Sequence, residues 1–403
     1  MKNRFVEAVP ALTDRPVSAI ARPAMKKFAE AGTGPGRFVY SAPGAFNEDL
    51  FFVSGLFLYR VSSEDASVRS LGQISNNVLG DVSMCAIAAI GTVPTRLFIA
   101  EGGVLWFYTE NGEALGHLEV TTSIANGDQV RIDDIYYEFT TGSVDAGTPD
   151  GSSGNPWLVF DTGLSPASLE NLFNAINDTG TAGTDYSSGL EAHPTVRGTA
   201  LSSADMYVNA KQYGTDGNSI VTTETGAGLE WEAGTLTGGG DEQLRQARMP
   251  NGVGAVSIAA INSYVIVVPV QDEALETVGR YYWINPGENY ADDLDFANAE
   301  RSQDKIHQVR VFGDKFWLLG QITTEPWITT GTPAAPMQRF QGILFDRGSW
   351  EGTAVQVKDS LIVCDEDGGV FQIAGGQRRI SRPDIEERIR RAMELEAFSG
   401  VGL

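Results

Sequence analysis

Glu325-Pro326-Trp327-Ile328-Thr329-Thr330-Gly331 decides how the rest of the chain is read. An aromatic-bearing strand runs into a polar pair and stops at a glycine. Trp106-Phe107-Tyr108-Thr109-Glu110-Asn111-Gly112 and Tyr281-Tyr282-Trp283-Ile284-Asn285-Pro286-Gly287 have the same texture, as does Val370-Phe371-Gln372-Ile373-Ala374-Gly375. Leu56-Phe57-Leu58-Tyr59-Arg60-Val61 is a weaker copy. Aromatic and β-branched residues fit a pleated, half-buried surface, so each piece reads as a strand, and together they read as equivalent strands of one repeated sheet.

The spacing supports a repeat once residues 117–241 are set aside as an insertion of 125 residues. Phe57 and Phe107 then stand 50 residues apart, Phe107 and Tyr282 another 50, Tyr282 and Trp327 45, and Trp327 and Phe371 44. Propeller blades are four-stranded sheets that recur at about 40–50 residues. The expected fold is therefore all-β: a β-propeller of five to six blades, with an inserted small β-rich domain carrying one helix, and a C-terminal helix. A β-sandwich with accidental spacing is the alternative.

The order of the chain follows from this. Residues 1–45 read as an N-terminal arm, because Pro10, Pro16, Pro23, Pro35 and Pro43 break any long helix. One short helix is expected over Ala24–Ala31. Residues 46–116 form the first part of the propeller, with hairpins over Asp49–Val61 and Arg96–Tyr108. Residues 117–241 turn rich in Thr, Gly, Ser, Asn and Asp. There Leu169, Leu172, Phe173 and Ile176 fall at i, i+3, i+4, i+7, the mark of an amphipathic helix, with Ser165 as its cap and Pro166 in its first turn. Residues 242–380 resume the hairpins, with Glu288–Ser302 read as a long acidic loop. Residues 381–403 form a C-terminal helix, steadied by the i,i+4 pairs Glu386/Arg390 and Glu387/Arg391.

Composition narrows the chemistry. The chain has 403 residues, 42% of them hydrophobic, and a formal net charge of −23. That length and apolar content support a large core, and the charge opposes nucleic-acid binding except at a local basic patch. No apolar run reaches the ~18 residues of a membrane helix; the longest, Ile258–Val270, is interrupted by Asn262 and Ser263. No secretory signal is evident, so synthesis in a cytoplasm is expected. Cys85 and Cys364 sit in apolar runs and read as buried thiols. His117, His193 and His307 have no metal-ligand neighbour at diagnostic spacing. HExxH, CxxC, GxSxG, a phosphate loop and an EF-hand loop do not occur. The acidic clusters Asp292-Asp293-Leu294-Asp295 and Asp365-Glu366-Asp367-Gly368 lack calcium-loop spacing and read as solvated turns. These observations point away from an enzyme, a cofactor and a metal. The one compact basic region is Arg378, Arg379 and Arg382, continued by Arg388, Arg390 and Arg391. These six arginines are the candidate partner interface.

Three longer pieces carry a family resemblance. They are Tyr282–Pro286 through Phe296-Ala297-Asn298-Ala299-Glu300, His307–Leu319 followed by Glu325–Gly331, and Ile373–Ile389 with Gln377-Arg378-Arg379-Ile380-Ser381 leading into a helix. Over about residues 45–116 and 242–390 the chain resembles the tail nozzle, or packaged-DNA stabilisation, proteins of short-tailed phages. The insertion is similar to a small domain of phage tail sheath proteins, through Tyr136-Tyr137-Glu138-Phe139, Leu169–Asn177, Gly217-Asn218-Ser219-Ile220 and Leu236-Thr237-Gly238-Gly239. The nozzle pattern does not itself include such an insertion. The resemblance implies a virion tail protein made in the host cytoplasm, assembled as a hexameric ring below the portal. Implied partners are the portal or an adaptor, tail fibres, spikes or a plug, and double-stranded DNA that passes the channel without sequence-specific binding. No catalytic residue, cofactor or membrane span comes with it. The rival expectation is a carbohydrate-binding or depolymerase propeller, with Trp157, Tyr290 and Trp350 as sugar-stacking candidates.

Overall fold

The computed structural model describes residues 4–8, 17–21, 29–30, 32–42, 44–78, 80–299, 304–332, 335–341, 345–357, 360–374 and 376–399. Five four-stranded antiparallel sheets follow one another along the chain. Blade one is Gly36–Ser41, Leu50–Ser54, Phe57–Val61 and Val68–Gln73. Blade two takes Val82–Ile87, Arg96–Glu101 and Val104–Thr109, and only after the insertion its fourth strand, Gln243–Gln246. Blade three is Ala255–Ile261, Tyr264–Pro269, Arg280–Ile284 and Phe296–Asn298. Blade four is Ile306–Phe312, Lys315–Gly320, Thr324–Thr329 and Met337–Arg339. Blade five is Val355–Val357, Ser360–Cys364, Val370–Ile373 and Gln377–Arg379. The first strands of successive blades approach one another from blade one through to blade five, which is the arrangement of a β-propeller.

Strand alternation builds the blade-to-blade core. In blade two, Leu97, Ile99 and Tyr108 pack toward blade one, while Phe98, Ala100, Leu105 and Phe107 pack toward blade three. Blade three repeats the device: Val265, Val267 and Tyr282 face blade two, and Ile266, Val268, Tyr281 and Trp283 face blade four. Each strand is thus apolar on both faces, the mark of sheets covered on two sides. Trp327, 4% exposed, packs across this seam, 5.2 Å from Tyr281 edge-on and 6.3 Å from Phe316. Such aromatic pairs add ~0.5–1.5 kcal/mol beyond the burial itself.

Phe57, Phe107, Tyr282, Trp327 and Phe371 all lie on the third strand of their blades, so the recurrence identifies the equivalent element each time. The aromatic does not take the same face in every blade. Tyr108, not Phe107, occupies the face toward the preceding blade. Phe57 does lie on that face, opposite Leu58, but it is 39% exposed. The described strands do not bring blade five onto blade one as the other neighbours meet. Val39 on blade one and Val355 and Val357 on blade five are accordingly exposed.

Other boundaries shift as well. Blade one begins inside the expected N-terminal arm, because Phe38–Tyr40 pairs with Phe51–Val53. Arg4–Ala8 and Val17–Ala21 pair as a two-stranded ribbon. Of the helix expected over Ala24–Ala31, residues 24–28 and 31 lie outside the described residues, and residues 29–30 are not helical. The expected loop Glu288–Ser302 contains blade three's outer strand, Phe296–Asn298, which pairs with Arg280–Tyr282. The hairpin turn Asn262-Ser263 has φ of 47° and 70°, the left-handed pair that a tight two-residue turn requires.

The inserted domain has two four-stranded sheets and helix α1, Ser165–Asn177. Glu113–Val120, Val196–Leu201, Asp205–Tyr213 and Leu229–Trp231 form one sheet; Gln129–Ile132, Ile135–Thr140, Trp157–Phe160 and Thr222–Glu224 form the other. Leu118, Val130, Phe139, Val208 and Trp231 share one core with Leu169, Leu172, Phe173 and Ile176 of the helix. Ser165 is not the cap. It is the first helical residue, and its hydroxyl accepts a bond from the Ile124 N–H at 3.0 Å. The domain's first strand begins at Glu113, so the sequence boundary at 117 falls within it. Unbroken apolar alternation through Ala114 and Leu118 disguises the crossing from blade to insertion.

Helix α2, Pro383–Ser399, lies against blade five, where a Cβ on Gly368 would come within 2.7 Å of the Glu386 carbonyl oxygen. Cys85 and Cys364 are both buried and free. Among the described residues, no helix is long and apolar enough to cross a membrane.

Candidate functional site

The insertion leaves the propeller between the third and fourth strands of blade two, and its two connections run together. The Gly112 N–H donates to the Asp241 carbonyl at 2.8 Å, and the N–H groups of Gly214 and Gly240 both donate to the Gly112 carbonyl at 3.0 Å. Gln243 reaches across with its amide, donating to the Glu113 carbonyl at 2.7 Å and the Gly238 carbonyl at 2.9 Å. Gly112 leaves room for that side chain: a Cβ there would stand 1.9 Å from Gln243 Cδ.

A buried polar network then fastens the domain to blades two and three. The Glu113 carboxylate, 1% exposed, is ion-paired to Arg197 and accepts a bond from Asn209 Nδ2 at 2.9 Å. Arg197 also donates to Asn289 Oδ1 at 3.3 Å, lies 3.9 Å from Glu288 and sits over the Tyr290 ring. Arg96, fully buried on blade two, donates to the Glu288 carbonyl and lies over Phe98. Arg245 belongs to the same group, on the face of blade two that carries Phe107. Three guanidiniums therefore share two carboxylates, Glu113 and Glu288.

The imbalance shows in the proton affinities. Burial pushes Arg96 and Arg245 below the ordinary arginine value; Tyr213, then Glu113 and Glu288, only partly offset it at Arg96, and Glu113 does so at Arg245. Burial acts the same way on Arg197, but Glu113 and Glu288 outweigh it and hold Arg197 above the ordinary value. Among the described residues, Arg197 Nε and Arg245 Nη1 at this seam are buried without a hydrogen-bond partner. Buried orphan donors cost ~1–3 kcal/mol each, more when charged. A cleft of about 410 Å³ opens here, lined by Arg197, Arg245, Arg248, Tyr207, Tyr290 and Leu115 among others.

No motif in the sequence marks these residues as a charged cluster. The signal that could have found them is a charge at the edge of an apolar strand, as in Arg96-Leu97-Phe98-Ile99 and Glu113-Ala114-Leu115.

The six arginines of the basic region do gather at one corner, on blade five's outer strand, the connection and α2, and all are exposed. Four are ion-paired locally: Arg379 with Glu386, Arg382 with Asp384, Arg390 with Glu387 and Glu394, and Arg391 with Glu387. Arg378 and Arg388 have no ion pair among the described residues. Asp365 is tied into its own turn, accepting from the Gly369 and Asp367 N–H groups and from Arg347 Nη1 at 2.7 Å. Among the described residues no group of three or more His, Cys, Asp or Glu could hold a metal ion. The sugar-stacking candidates sit apart: Trp157 packs on the inserted domain's core, Tyr290 lies at the seam, and the Trp350 N–H donates to the Cys364 carbonyl.

No protein-family model matches the chain, and no curated protein matches it. Among solved structures, the chain is similar to the β-propeller domain of Myceliophteria thermophila Cps50 (Swd1), at 10% identity over 87% of this chain and 86% of that one, with a TM-score of 0.34. Kluyveromyces lactis Hsv2 aligns at 8% identity over 88% and 78%, with a TM-score of 0.26. Saccharomyces cerevisiae Sqt1 aligns at 9% over 86% and 72%, with a TM-score of 0.27. At such scores the propeller assignment rests on the five successive four-stranded sheets and their face-to-face cores.

Proposed function

We propose that this chain is a structural protein of a phage virion, a tail nozzle or adaptor that assembles as a hexameric ring below the portal, extends the DNA channel, helps retain packaged DNA and anchors fibres or spikes. The observation that carries the reading is the pairing of a propeller with a firmly docked passenger domain. The doubled neck at Gly112 and the contacts of Arg197 with Asn289, Glu288 and Tyr290 hold that domain in one orientation, as an element presented to neighbours requires. Exposed Val39, Phe57, Val355 and Val357 on the first and last blades support contact with further protein surface. The net charge of −23 suits a wall past which DNA slides, since like charges repel. Arg378 and Arg388, exposed and without an ion pair among the described residues, are the first candidates for contact with an acidic partner surface. Negative-stain microscopy of the purified chain, alone and mixed with a short-tailed phage portal protein, tests this. Rings alone or on the portal support the proposal; separate single chains in both samples overturn it. Retention on a glycan array would instead favour the carbohydrate-binding alternative.

A further inference from the structure

We propose that the cleft between the inserted domain and blades two and three binds a small organic anion, a carboxylate or phosphate carried on a flat or aliphatic body. Arg245 supplies the first argument. Its guanidinium makes no hydrogen bond or ion pair among the described residues, and its Nη1 is buried. A desolvated charge without a counter-ion is costly, and arginine's planar fork matches a carboxylate or phosphate. The second argument is the rest of the lining. Arg248, which lies over Phe173, has no ion pair among the described residues, and Arg197 leaves its Nε unpartnered. Asp292 is the one carboxylate on the wall, against three arginines. The third argument is shape. The cleft holds about 410 Å³, within the range of ~300–1,000 Å³ usual for small-molecule pockets. Leu115, Ala200, Tyr207 and Tyr290 give it an apolar and aromatic wall, so the space suits more than a bare ion.

The site does not depend on ring assembly. It is formed within one chain, at a seam whose geometry is set by Glu113, Asn209 and Asn289. An anion seated on Arg245 would balance the surplus guanidinium and tie the inserted domain to blade two, so binding should also raise the stability of the seam.

Isothermal titration of the full chain with benzoate, phenyl phosphate, inorganic phosphate and neutral benzyl alcohol is the test. Benzoate or phenyl phosphate is expected to bind, and the stronger of the two identifies the head group. Benzyl alcohol should not bind, and inorganic phosphate should bind at least tenfold more weakly than phenyl phosphate. Arg245→Gln should weaken binding at least tenfold and leave the melting temperature equal or higher, because it removes an unpaired charge. Ala200→Phe, which fills the space and keeps every charge, should also abolish binding, whereas Arg388→Gln on α2 should change nothing. No binding of either organic anion at millimolar concentration overturns the proposal, as does equal binding by Arg245→Gln. Inorganic phosphate binding as tightly as phenyl phosphate overturns the role given to the apolar wall.

Discussion

Replacing Glu113 by alanine should loosen the inserted domain without unfolding the propeller. The carboxylate is the buried acceptor for Arg197 and Asn209. Removing one partner of a buried ion pair costs ~3–5 kcal/mol, because the other charge is left without compensation. Glu288, 3.9 Å from Arg197, and Asn289 remain, so the lower end applies. A loss of about 3 kcal/mol is a little over a hundredfold in the opening equilibrium of the domain's Glu113–Val120 and Val196–Leu201 strands. Amide hydrogen exchange reads this directly, comparing Glu113–Val120 and Val196–Leu201 with blade four as an internal reference. Exchange should accelerate about a hundredfold in the first two strands and stay unchanged in the third. Adding Arg197→Met to the Glu113→Ala variant should recover part of the loss, since the stranded charge is then gone. Unchanged protection in Glu113→Ala, with no recovery in the double variant, would refute the claim that this pair ties together the sheet from which the domain meets blade three.

Trp327→Ala should cost ~3–5 kcal/mol in urea denaturation, as large aromatic truncations in packed cores do, whereas Phe57→Ala, at a position 39% exposed, should cost clearly less. Equal losses would contradict the blade-by-blade packing. Gly112→Ala should destabilise the neck by displacing Gln243 and its two hydrogen bonds, so Gln243→Gly alone should weaken it as well and the double variant should be no weaker than Gly112→Ala, as read by protease cleavage near residues 238–242; additive losses would mean that the clash lies elsewhere. His193 is buried, faces the Ile132 carbonyl through Nε2 at 3.1 Å and accepts the Thr195 and Val196 N–H groups at Nδ1. Burial holds its pKa below the ordinary 6.5, so the unfolded chain binds the proton first. Its contribution to stability is then complete above the unfolded value and falls as pH drops below it, by up to ~1.4 kcal/mol per pH unit. Stability of the inserted domain should therefore decline from pH 7 to 5, and His193→Gln should flatten that slope; an identical slope in the variant assigns it to another group.

Much of the fold was legible because propeller blades repeat a local pattern. Alternation and tight turns mark each hairpin, and the aromatic third strand marks each blade, from Phe57 to Phe371. What misled was register and boundary. Trp106, Phe107 and Tyr108 are three aromatics in succession, and pattern alone cannot say which one faces blade one. The Glu113–Val120 strand continues blade two's texture into another domain, so no compositional change occurs where the chain crosses. Phe296–Asn298 is three residues in an acidic stretch, too short to show a period. The seam was hidden for a different reason. Arg96, Glu113, Arg197 and Arg245 are far apart along the chain, and only the docking of the insertion brings them together. The basic residues near the C-terminus were conspicuous because they are contiguous, yet four of the six spend their charge on neighbouring acids.

Native mass spectrometry of the full chain tests the central claim, a ring-forming structural protein, most directly. The account predicts one discrete assembly of six 43.3 kDa chains, formed alone or on addition of portal rings. A lone 43.3 kDa species at every concentration, with and without portal, would contradict it.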